Sequence, residues 1–125
     1  MFRAEAFAIL GDDLDHLGRC GHGWFGRRRM RRAVAQFMED LARLADGDLH
    51  RYEAADTERL KRSIDQGIEL IERWMARARP SAARPLATAI YRIRALEEDI
   101  YEHWRLQTAG HLSPDASATP RSPAS

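Results

Sequence analysis

Five arginines fall within six residues at 27–32 (RRRMRR), directly behind a glycine-rich run, GRCGHGWFG, that carries Trp24 and Phe25 near its end. A guanidinium is always charged and presents a rigid fork of donors that fits carboxylate and phosphate oxygens. Placing Arg27, Arg28, Arg29, Arg31 and Arg32 in the first turns of a helix sets them against the helix dipole and against one another. No carboxylate lies in residues 16–38 to offset them. The counter-charge then has three sources: the acidic surface of a protein partner, a nucleic acid or phosphorylated ligand, or the chain itself. Internal acids are available in Glu97, Glu98, Asp99 and Glu102 and in the acidic stretch after residue 39, and an antiparallel bundle would bring them within reach. Lysine is almost absent, Lys61 standing alone against nineteen arginines, so an arginine here says less than usual about bidentate recognition. Trp24 beside this cluster reads either as an aromatic recognition anchor or as an apolar plug for one end of the fold.

A second group with chemical potential is Asp13, His16, Cys20 and His22. Zinc needs three or four nitrogen, sulfur or carboxylate donors converging on one point. The spacing matches no established zinc pattern, and a single cysteine excludes the common structural sites. His50 with Glu53, and Asp99 with His103, lie one helical turn apart, but the paired Glu-x-x-His motifs of a di-iron carboxylate bundle are missing. No metal or cofactor is implied, and surface or capping roles suit these histidines. Cys20 near arginines that would lower its pKa leaves a thiol-dependent sensor or enzyme as a separate reading. The glycines match no phosphate-binding fingerprint, lacking both a preceding strand and a Gly-Lys-Ser/Thr.

The elements that position these residues are helices. Phe7, Leu10, Leu14 and Leu17 form one apolar stripe over residues 2–17; Met30, Val34, Phe37, Leu41 and Leu44 form a heptad-like seam on a second helix. Asp46-Gly47-Asp48 interrupts it, and residues 49–55 read as a short turn or a kinked continuation. Asp56 or Thr57 suits an N-cap for a third helix carrying Leu60, Ile64, Ile68, Ile71 and Met75, with Trp74 at its edge. Pro80 is expected to stop it, with PSAARP as a hinge-like connector. A fourth helix carries Leu86, Ile90, Ile93, Leu96, Ile100 and Trp104 and is expected to end at Ala109-Gly110. The Ser/Pro/Ala-rich remainder, 111–125, is expected to be a disordered tail.

The expectation is therefore an all-α chain: an antiparallel bundle of about four helices over 1–110, with seams that also leave room for a helical homodimer. At 125 residues there is material for one domain, and 44% hydrophobic with 31% charged residues is a globular balance. No apolar run approaches the roughly 20 residues a membrane span requires. The acidic N-terminal stretch and the lone cysteine point to the cytoplasm. No nucleophile–base pair emerges from spacing, which favours a non-enzymatic interaction or regulatory protein. Its site would be Trp24, Phe25 and the Arg27–Arg32 face, taking an acidic protein first and a nucleic acid second.

Overall fold

The computed structural model describes residues 3–46 and 54–118, with side chains over 5–44 and 55–106. Four helices account for nearly all of it: α1 (Arg3–Gly18), α2 (Trp24–Asp46), α3 (Ala54–Ala76) and α4 (Pro80–Ala118). Each buries the stripe its spacing predicts. Phe7, Leu10, Leu14 and Leu17 from α1 meet Met30, Val34, Phe37, Leu41 and Leu44 from α2 in one contiguous core. Leu60, Ile64, Ile68 and Ile71 from α3 and Leu86, Ile93, Ile100 and Trp104 from α4 complete it. The described residues contain no strand, and none of their helices is long and apolar enough to cross a membrane.

The helices alternate in direction, but their arrangement is not the simple ring in which each helix touches the next. α1 packs on α2 and α3, and α4 packs on α2 and α3. The α2–α3 connection therefore crosses the diagonal, and the neighbours α1/α3 and α2/α4 run parallel. Contacts along the bundle show this: the Arg59 guanidinium lies over Phe7 near one end, and Leu70 abuts Gly18 near the other. Trp24 and Arg31 of α2 likewise share a cleft with Ser81 and Pro85 of α4. Across the diagonal, Gly67 lets the Phe37 ring reach the middle of the core; a Cβ there would stand 2.7 Å from it.

Four boundaries differ from the sequence expectation; α3 begins at Ala54, so Asp56 and Thr57, the expected N-cap candidates, lie within its first turn. α3 ends at Ala76, and Pro80 opens α4 instead of closing α3, because its fixed φ and missing N–H suit the first helical position. The Arg79 carbonyl accepts from the Ala82 and Ala83 N–H groups, each at 2.9 Å, so PSAARP is the first turn and a half of α4 and not a hinge. Trp74, placed at the edge of the α3 seam, is buried, while Met75 is only partly covered. α4 continues to Ala118, past the glycine stop read at 110. Residues 119–125 of the expected tail, and the interruption at 47–53 with His50 and Glu53, lie outside the described residues.

Candidate functional site

One end of the bundle is built from the start of α2, the α1–α2 loop at 19–23 and the α3–α4 turn at 77–79. Trp74 latches these pieces together. Its indole Nε1 donates to the Gly21 carbonyl at 2.8 Å, and the His22 ring stacks on it at 4.8 Å with planes 12° apart. His22 Nε2 lies 3.0 Å from the Trp74 carbonyl, which only accepts, so that nitrogen carries a proton. The Gly21 carbonyl in turn lies against α2 at Gly26, where a Cβ would stand 2.2 Å from the oxygen. The plug at this end is thus Trp74, and Trp24 is not needed for it.

Trp24 is instead 57% exposed and Phe25 70%. The two rings meet edge to face with centroids 4.7 Å apart, and the Arg28 guanidinium stands 5.2 Å over the Trp24 ring. Helical winding divides the five arginines between two flanks of the buried Met30–Val34–Phe37 stripe. Arg27 and Arg31, with Arg28 and Trp24, line a cleft of about 250 Å³ against Trp74, Ser81 and Pro85. That cleft adjoins a second, of about 350 Å³, reaching His22, Arg77 and Arg79. Arg29 and Arg32 turn the other way, towards α1, where a cavity of about 410 Å³ is lined by Asp13, His16, Arg19, Cys20 and Gln36. Phe25 and Arg28 lie between the flanks, in a shallow depression shared with Arg29 and Arg32.

None of these five arginines is paired with a carboxylate among the described residues, and α2 has no acid in its first turn. Of the internal acids, Glu97 and Glu102 are engaged elsewhere. Glu97 accepts from Arg94 at 2.9 Å and from the Tyr101 hydroxyl at 2.8 Å, and Arg94 also bridges to Asp65 on α3 at 3.0 Å. Burial and this bond to Glu97 push the Tyr101 phenol well above its ordinary value. Glu102 pairs with Arg105. Because α4 runs parallel to α2, Glu97 sits roughly 18 Å along the axis from Pro85, which lies beside the arginines. The proximity expected of the antiparallel bundle is absent for that reason.

The Asp13, His16, Cys20, His22 group does not converge. His22 faces Trp74, His16 Nδ1 lies 2.8 Å from the Asp12 carbonyl, and Cys20 Sγ donates to the His16 carbonyl at 3.2 Å. Among the described residues no group of three or more His, Cys, Asp or Glu side chains is placed to hold a metal ion. Burial raises the Cys20 pKa and outweighs the opposing pull of Arg29, so the lowered value expected from nearby arginines is corrected. Asp13 is a different matter: it is 5% exposed, beside Asp40 at 6%. Burial, a hydrogen bond from carboxyl to carboxyl and the neighbouring charges of Asp40 and Asp12 push it up to about 8.

Nothing in the sequence places Trp74, Arg77, Arg79 and Ser81 on one flank of the site, or Gln36 and Asp40 near the other. The first four lie about fifty residues from Trp24, and only the short α3–α4 turn returns them to it. No family model, curated protein or solved structure matches the chain.

Proposed function

We propose that this chain is a non-enzymatic interaction or regulatory protein of the cytoplasm that docks an acidic protein segment on the end of the bundle formed by Trp24, Phe25, Arg27, Arg28 and Arg31. The observation that carries this reading is the exposed Trp24 ring under the Arg28 guanidinium, beside arginines without internal counter-ions. An exposed cation–π contact contributes about 0.5–1 kcal/mol, too little to explain holding so much positive charge together. An acidic partner would relieve the repulsion, its charge steering the approach and Trp24 supplying a central anchor. Arg77 and Arg79 extend the same positive field across the α3–α4 turn.

Nucleic acid is the rival occupant, since arginines with an exposed indole also suit phosphates and bases. A cross-linked pull-down from cell lysate separates the two, comparing wild type, Arg28→Glu/Arg31→Glu and Trp24→Ala with and without nuclease. The expected result is a protein band that survives nuclease, disappears with the charge reversal and weakens with Trp24→Ala. Capture that nuclease abolishes would replace the protein partner by nucleic acid. Identical eluates from wild type and the charge-reversed variant would overturn both.

A further inference from the structure

The two adjoining clefts at the arginine end gather more positive charge than one carboxylate side chain neutralises. Arg27, Arg28 and Arg31 of α2 line the cleft of about 250 Å³, and Arg27 lines the one of about 350 Å³ with Arg77 and Arg79 of the α3–α4 turn. No aspartate or glutamate lines either cleft. None of these arginines has an ion-pair partner among the described residues. A carboxylate brings one negative charge and two oxygens, whereas a phosphate monoester brings about −1.5 to −2 and three strong acceptor oxygens. Guanidiniums fork onto such oxygens bidentately, so a phosphoryl group can engage arginines from both walls at once. Ring faces are scarcer here than cations: Trp74 is buried with His22 stacked on it, and Arg28 stands over Trp24. That balance suits a tetrahedral anion on a peptide better than a stacked nucleobase.

We propose that the acidic segment docked at this end is a phosphorylated one, its phosphoryl group seated between Arg27 and Arg31 of α2 and Arg77 and Arg79 of the α3–α4 turn. The inference rests on the acidic-partner reading and narrows it, since docking then depends on the modification state of the partner. It also gives Arg77 and Arg79, which approach the α2 arginines only through the short α3–α4 turn, a direct part in recognition.

Fluorescence anisotropy with the full chain tests it. The probe is a labelled peptide with a serine between short runs of glutamate, in three forms: phosphorylated, unmodified, and with aspartate in place of the serine. The phosphorylated form should bind at least about tenfold more tightly than the aspartate form, the scale of one hydrogen bond to a charged group. Arg77→Gln/Arg79→Gln, both exposed on the turn, should bring the two forms close together. Arg29→Gln/Arg32→Gln, on the other flank of α2, should leave the preference unchanged. Equal affinity for the phosphorylated and aspartate forms, both lost in Arg28→Glu/Arg31→Glu, would overturn the phosphoryl preference and leave acidic docking standing. No binding of any form would overturn both readings. A preference that survives Arg77→Gln/Arg79→Gln would remove the clefts as its seat. Displacement of the phosphorylated peptide by adenosine monophosphate at equal concentration would make the occupant a nucleotide and overturn the peptide.

Discussion

Cys20 shows how a residue's neighbours in sequence and in space give opposite chemistry. Arginines at 19 and 27–29 suggest a thiolate, but the thiol is half-buried, bonded to the His16 carbonyl at 3.2 Å, and its pKa is raised because burial outweighs the Arg29 charge. The nucleophile is the thiolate, so Cys20 should react slowly. Iodoacetamide at pH 8 should alkylate it several-fold more slowly than a free cysteine peptide, with the difference vanishing in denaturant; equal rates in the folded protein would contradict the burial argument. Sequence proximity alone pairs His22 with Cys20. Its stacking on Trp74, 52 residues away, is invisible to any local pattern. For the same reason the sequence does not separate anchor from plug at Trp24; the plug is Trp74, which closes the loop from α3.

At the scale of elements, the apolar stripes were legible almost residue for residue, because 3.6-residue periodicity is a local consequence of helical geometry. Met30, Val34, Phe37, Leu41 and Leu44 are all buried as read. The boundary at Pro80 was not, since a proline both ends one helix and begins another, and only the capping carbonyl of Arg79 distinguishes the two. Two glycines inside helices record close approaches that periodicity cannot report. Replacing a helical glycine by alanine ordinarily stabilises by about 1 kcal/mol. At Gly67 the new Cβ would meet the Phe37 ring at 2.7 Å, and at Gly26 the Gly21 carbonyl oxygen at 2.2 Å. Overpacking of this kind costs about 1–3 kcal/mol, so the clash wins at both positions. Gly67→Ala should lower the unfolding midpoint of the whole bundle. Gly26→Ala should act locally, displacing the Gly21 carbonyl from Trp74 and raising amide exchange in residues 19–23. Gly11 is the control: nothing lies within 4 Å of a Cβ there, and Gly11→Ala should stabilise. Chemical denaturation with amide exchange distinguishes the three.

For the whole molecule, the layer arrangement was the part the sequence withheld. Four amphipathic stripes specify a bundle but not which pairs touch: the diagonal crossing from α2 to α3 sets α4 beside the arginines of α2, and the packing of α1 on α2 buries Asp13 beside Asp40. That burial couples stability to pH. An unfolded aspartate loses its proton near 3.8, whereas folded Asp13 keeps it up to about 8. Between those values the folded chain holds one proton more than the unfolded chain. Its stabilising contribution is therefore complete below about pH 4, falls as pH rises, and is exhausted above about pH 8, with a slope of up to about 1.4 kcal/mol per pH unit. The charged groups acting on it are Asp40 from α2 and Asp12 from α1, and no residue of α3 lines the adjoining cavity. Titratable groups common to both chains cancel in a comparison, so the signal is the difference between wild type and Asp13→Asn and not the wild-type curve itself. Urea unfolding at pH 5, 6, 7 and 8 should show wild type losing stability relative to Asp13→Asn at each step. A difference constant across that range would mean that Asp13 is already ionised at pH 5, and that its proton is not what holds α1 against α2.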